Sequence, residues 1–158
     1  MMKPNRVKYI LLGIMVFVFI GILYTNIMGK KQDDVFKQDY TKYQFALQLL
    51  ETNEFDKAIN ELNDLIVNYP DEYTLYFQLG LAYSSQGDFE KAAIHYQKAI
   101  DIRPALLGNQ TFTFKMGESL YNIKQFDLAK AYLSNPVPEQ FQKQRDELLQ
   151  IIEKEIHS

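Results

Sequence analysis

The sequence predicts an all-α protein: one N-terminal transmembrane helix, a helix-turn-helix repeat solenoid of about three units, and a C-terminal capping helix. Three observations carry this expectation. Residues 9–28, YILLGIMVFVFIGILYTNIM, contain no charged side chain. Phe55, Ala58 and Pro70 recur as Phe89, Ala92 and Pro104, each 34 residues later, and Gly80, Phe89 and Ala92 recur as Gly117, Phe126 and Ala129, each 37 residues later. Between these markers apolar residues fall at helical spacing, as in Leu79, Tyr83, Phe89, Ala92, Ile94, Tyr96, Ala99 and Ile100, broken by the polar SSQGD.

At 1.5 Å per residue the uncharged run spans roughly 30 Å, the thickness of a bilayer's hydrocarbon core. A cleaved signal peptide is the rival reading. Against it, the run exceeds the usual apolar length, and no small-x-small pattern follows, only Tyr24, Thr25, Asn26, Ile27 and Met28. With no cysteine in the chain a lipidated cysteine is excluded as tether, and so are disulfides and thiol chemistry. Lys3, Arg6 and Lys8 in the basic tail 1–8 favour a cytoplasmic N-terminus and an extracytoplasmic domain, although Lys30, Lys31, Lys37 and Lys42 nearly balance them across the span. All 20 acidic residues lie after residue 28, with 14 of the 17 basic ones, leaving a net charge of −6 there. Lys and Glu are interspersed along helices, so no basic stripe for nucleic acid is expected.

After a linker at 29–35, the repeats are expected over 36–138, in units at about 39–72, 73–106 and 110–138, the three extra residues of the longer spacing falling in ALLGNQ. Gly80 and Ala92 are small where large side chains would hold paired helices at the usual 8 to 10 Å, so Gly80 is expected to face Ala92 at a close approach, with Ala99 serving the next unit. Asn53 and Gly87 occupy turns that favour positive φ. Pro70 and Pro104 end second helices, and Asp71 is the expected cap of the helix that follows.

Tyr76, Leu79, Gly80, Tyr83, Ala92, Tyr96, Ala99 and Pro104 together resemble the tetratricopeptide repeat, with Tyr76 in place of the leading tryptophan. The first unit keeps Leu49, Asn53, Phe55, Ala58, Leu62 and Pro70 but has Phe45 and Ala46 at the Leu-Gly position. The third keeps Met116, Gly117, Leu120, Phe126, Ala129 and Leu133, then departs: Lys124 stands at the turn glycine and Pro136 at the last alanine, so its second helix must be short. Residues 139–158 form the capping helix, with Phe141, Leu148, Leu149, Ile152 and Ile156 on one face.

The residues offer little chemistry. His95 and His157 have no histidine or cysteine at ligand spacing, GES at 117–119 lacks the closing glycine of a nucleophile elbow, and no phosphate loop is present. Asp33/Asp34 and Asp71/Glu72 are read as acids at helix starts. No enzyme, catalytic residue, metal, cofactor or small-molecule substrate is expected. The resemblance instead implies a concave, ligand-facing side built from first helices: Tyr40, Tyr43, Leu47, Leu50 and Glu51; Thr74, Phe77, Leu81, Ser84 and Ser85; Thr111, Phe114, Glu118, Tyr121 and Asn122. The basic residues of family members that clamp a C-terminal carboxylate are missing, and the groove centres on Tyr40, Tyr43, Leu47, Phe77, Leu81, Phe114, Glu118 and Tyr121. Such a face suits an apolar segment of a protein or peptide partner, unless the chain's own capping helix or linker covers it. The resulting expectation is a membrane-anchored scaffold or adaptor in an envelope or translocation-associated complex. The alternative is a holdase-like module binding unfolded apolar segments.

Overall fold

The computed structural model describes residues 4–157; residues 1–3, with Lys3 of the basic tail, and Ser158 at the end of the capping segment lie outside them. Seven α-helices and one short 3₁₀ helix occur among the described residues: α1 (Pro4–Glu51), α2 (Phe55–Asn68), α3 (Tyr73–Gln86), α4 (Phe89–Ile102), the 3₁₀ helix (Pro104–Gly108), α5 (Gln110–Asn122), α6 (Phe126–Leu133) and α7 (Glu139–Ile156). The chain divides into two compact units, Met1–Thr41 and Lys42–Ser158.

The first unit is helical throughout its described length. From Leu11 the helix is long and apolar enough, by length and composition, to cross a membrane, and its apolar stretch is wholly unburied. Residues 29–35, expected as a linker, are helical, and Asp33 and Asp34 lie inside α1 and cap nothing, contrary to expectation. GKKQDD has no proline, and one glycine costs a helix only about 1 kcal/mol, too little to break it.

In the second unit the helices pair in order, α3 with α4 and α5 with α6 most closely. Each pair turns through the same device. The amides of Glu54, Asp88 and Gln125 donate to the carbonyls of Leu49, Tyr83 and Leu120 at 2.8, 2.9 and 2.9 Å, and the residue before each has positive φ: Asn53 at 60°, Gly87 at 82° and Lys124 at 62°. Lys124 therefore takes the left-handed conformation of the glycine it replaces. At the end of α2 the expected cap moves by one residue. Glu72, not Asp71, accepts from the Thr74 amide and hydroxyl, because the Tyr76 hydroxyl holds the Pro70 carbonyl at 3.0 Å and the helix begins at Tyr73. Asn109 caps α5 by accepting from the Phe112 amide at 2.9 Å, and the 3₁₀ helix before it absorbs the extra residues while burying Leu106. As the position of Pro136 predicts, α6 is short, eight residues.

The contact that most demands a small residue at Gly80 is with a large side chain. A Cβ on Gly80 would overlap the Tyr96 ring, 2.9 Å from Cζ and nearer still to Cδ1 and Cε1, so the Tyr96 ring lies directly over Gly80. Sequence spacing alone does not show which residue of α4 crosses α3 at that level. The third unit repeats the arrangement: a Cβ on Gly117 would lie 2.8 Å from Leu133 Cγ, and Leu133 is 37 residues after Tyr96. The first unit meets the same need with Ala46 and the smaller Leu62, both fully buried in one cluster.

Two apolar clusters run along the stack. One joins Ala46, Ile59, Leu62 and Leu65 to Leu75, Leu79 and Ala82; the other joins Tyr96, Phe112, Phe114, Met116, Leu133 and Ile152. The Phe77–Phe112 ring pair between α3 and α5 (centroids 5.3 Å apart) recurs as Phe114–Phe141 between α5 and α7 (4.5 Å). By that register α7 holds the place of the first helix of a fourth unit. Arg145 and Asp146 then stand where α5 has Met116 and Gly117, so the face that would receive a second helix is charged and the stack ends.

These contacts predict a coupled effect. Gly80→Ala should destabilise the second unit by about 1 to 3 kcal/mol through overpacking. In a Tyr96→Leu background, which copies the Ala46–Leu62 pairing, the same change should cost markedly less. A double-mutant cycle from chemical denaturation would check this, and additive effects would contradict the contact.

Candidate peptide-binding groove

The sequence-expected groove residues separate into four situations. Tyr40 lies in the first unit and is exposed. Tyr43 and Leu47, half-buried on the part of α1 in the second unit, flank the first apolar cluster, which Tyr43 packs against. Phe77 and Leu81 on α3 are half-buried against the second cluster, with Phe77 6.0 Å from Tyr96 and 5.3 Å from Phe112 between ring centroids. On α5, Phe114 is fully buried under Phe141 of α7. Glu118 accepts from Lys115 Nζ at 2.8 Å and Gln144 Nε2 at 2.6 Å, and the Lys115 ammonium lies 5.6 and 5.5 Å from the Phe114 and Phe141 rings. Tyr121 is half-buried beside Phe126, 6.0 Å away.

Two open clefts lie beside these positions. The larger, about 400 Å³, lies between the second-unit part of α1 and α3 and is lined by Leu47, Leu50, Glu51, Phe55, Gln78, Leu81 and Ser85. Five of these are ligand-facing positions in the repeat alignment. Phe55 and Gln78 were not anticipated; Phe55 stands at the start of α2 and closes the cleft at its turn end. A second cleft of about 350 Å³ is lined by Tyr121, Asn122, Lys124, Phe126, Ile151 and Glu155. With the register of α7 set by the phenylalanine pairs, Ile151 corresponds to Asn122, so the second cleft repeats the first between α5 and α7.

On α4, packed against Phe77 of α3 and Phe112 of α5, is a buried polar atom. Tyr96 is fully buried and its hydroxyl makes no hydrogen bond. Burial pushes its phenol well above the ordinary value, with the Glu118 carboxylate adding to the effect; Ser84 comes near enough to oppose it slightly without reaching hydrogen-bond geometry. The hydroxyl so held is a cost that the ring contacts offset. On α4, His95 lies between two tyrosines, stacked on Tyr83 at 5.2 Å and 5° and on Tyr76 at 6.3 Å and 27°. Burial first, and then the Lys91 cation, lower its pKa. Among the described residues no group of three or more acidic, histidine or cysteine side chains is placed to hold a metal.

Residues 43–106 match the family model described as tetratricopeptide repeat. No curated protein sequence matches the chain. Among solved structures, the Sgt2 tetratricopeptide domain from Aspergillus fumigatus is similar with a TM-score of 0.65 at 16% identity, over 77% of this chain and 83% of that one. A T3SS complex from Aeromonas hydrophila gives 0.63 at 16%, over 77% and 84%. The type III secretion chaperone SycD of Yersinia enterocolitica, in complex with a peptide of the translocator YopD, gives 0.60 at 16%, over 73% and 92%. At such identity the likeness establishes the fold.

Two outcomes follow from the buried groups. Tyr96→Phe should stabilise the second unit by about 1 kcal/mol in denaturant unfolding, since it removes an unsatisfied buried hydroxyl and keeps the ring; a loss of stability would mean the hydroxyl has a partner. For His95, a folded pKa below the unfolded value of about 6.5 means its contribution is fully present above that pH and declines as pH falls through the window beneath it, where only the unfolded chain takes the proton. His95→Gln should flatten the decline in unfolding free energy between about pH 7 and 5, and an unchanged slope would contradict the assignment.

Proposed function

We propose, on the premise that this chain is a tetratricopeptide repeat protein, that it holds an apolar segment of one protein partner in the cleft between α1 and α3, at a membrane that its own residues 9–28 cross. The tetratricopeptide fold is typically a protein-binding module without catalysis, and the peptide-bound SycD has the same fold. The observation that carries the reading is the cleft itself. It is open, floored by Leu47, Leu50, Phe55 and Leu81, and formed by the positions that face ligands in this kind of repeat. At the third unit α7 already covers Phe114 and engages Glu118, which leaves the α1–α3 cleft as the site for a foreign segment. Tyr43, Phe77 and Tyr121 border the path to either side. An anchored domain meets membrane partners at high effective concentration, so a modest groove affinity suffices. The repeats lie outside the cytoplasm, in an envelope or translocation-associated assembly.

A photo-crosslinking amino acid at Leu47, in the full chain expressed in cells, should give one dominant adduct, and the same group at Gln97 on α4 should give none. A smear of many adducts from Leu47 would favour the holdase reading; no adduct would contradict groove binding. For the anchor, a single cysteine at Lys143, whose side chain is 91% exposed, should react with a membrane-impermeant maleimide in intact cells and stay in the membrane fraction after carbonate washing. Labelling only after permeabilisation would reverse the orientation, and release by carbonate would remove the anchor.

A further inference from the structure

Glu51 is the single charged side chain lining the α1–α3 cleft. It is exposed and makes no hydrogen bond or ion pair among the described residues. Some other acids on this unit are engaged, Asp88 with Lys91 at 2.7 Å, Glu118 with Lys115 at 2.8 Å, and Glu54 with Lys57, but none of these lines the α1–α3 cleft. Glu51 is also badly placed for its own helix. It is the last residue of α1, where the negative end of the helix dipole disfavours a carboxylate, and that last turn contains no basic residue to compensate. A local rule broken without a local gain marks a residue whose partner lies elsewhere. The surroundings reinforce its sign, because residues 42–158 carry 11 basic and 17 acidic side chains, a net charge of −6. Gln78 and Ser85 beside it are neutral and add hydrogen-bonding capacity without altering the charge.

From this arrangement we infer that the segment held in the cleft carries a lysine or arginine next to its apolar anchor, with the cation on Glu51 and the anchor between Leu47, Leu50, Leu81 and Phe55. The inference rests on the groove reading above and gives it a charge preference. The same carboxylate disfavours acidic C-terminal tails as occupants. The cation's stem packs over the leucines at the rim while its head stays at the surface, so the ion pair is partly exposed. It therefore adds selectivity more than affinity.

The test uses the full chain in nanodiscs of zwitterionic lipid and two labelled peptides with identical leucine and phenylalanine positions, one with two lysines beside the anchor and the other with two glutamates. Fluorescence anisotropy should show the lysine peptide binding about threefold to tenfold more tightly. Glu51→Gln should bring the two affinities together and Glu51→Lys should reverse their order, whereas Glu90→Gln on α4, an equal change in net charge, should leave the preference intact. Equal binding of both peptides to the unaltered chain, or an equal effect of Glu51→Gln and Glu90→Gln, would overturn the charge preference while leaving the groove in place. Failure of both peptides to bind would overturn the groove reading itself and the inference with it.

Discussion

The close approach of paired helices at Gly80 and Tyr96 is the constraint on which the repeat unit is built. With no side chain on Gly80, the Tyr96 ring lies against the backbone of α3 and reaches past it to Phe77 and Phe112. One ring thus closes a helix pair and joins two successive pairs. The buried hydroxyl at its tip is the cost of using tyrosine there. In the first unit Ala46 and Leu62 fill the equivalent space without a ring, and in the third Gly117 and Leu133 close it with an aliphatic side chain. The three solutions share a requirement: the larger the residue on the second helix, or the closer its backbone, the smaller the residue opposite must be.

The groove is a consequence of that pairing. When second helices lie close against the backs of first helices, the first helices are left side by side on the other face, and the gaps between their turn ends become clefts. Whether a cleft stays open depends on the residues that border it. Between α1 and α3, leucines and a serine leave about 400 Å³. Between α5 and α7, Phe141 and Gln144 close the upper part by engaging Phe114 and Glu118, and the opening persists only near Lys124 and Ile151. The helix that ends the stack thereby also sets how much of this face stays open.

Much of this is legible in the sequence because the repeat imposes small, turn and apolar residues at fixed intervals. Asn53, Gly87 and Lys124 align at one offset, and all three adopt the same left-handed turn. Pro136 foretells the short α6. Spacing does not identify the large residue that imposes the demand: Gly80 and Ala92 stand out because both are small, while the ring nearest Gly80 is that of Tyr96. By type Asp71 is the better cap, and Glu72 takes the position instead, where the Tyr76 hydroxyl holds the Pro70 carbonyl in a contact across six residues. The helical state of 29–35 escapes composition because a charged, polar stretch reads the same in a linker as in an exposed helix. The fourth-unit identity of α7 is hidden since its repeat offset is shortened and its glycine position is filled by Asp146. Of the α1–α3 cleft, Leu47, Leu50, Glu51, Leu81 and Ser85 are positions the repeat alignment already singles out, while Phe55 and Gln78 line it only through three-dimensional packing.

The most direct measurement of the central constraint is residue-resolved native-state hydrogen exchange on the full chain in lipid nanodiscs. If the Gly80–Tyr96 contact is the keystone of the second unit, the slowest amides lie in α3 and α4 around those two residues, they open with one common free energy, and protection declines along the stack toward α2 and toward α7. Maximal protection in α7 or α2, or α3 and α4 opening at clearly different free energies, would place the stability of the domain elsewhere and contradict the account.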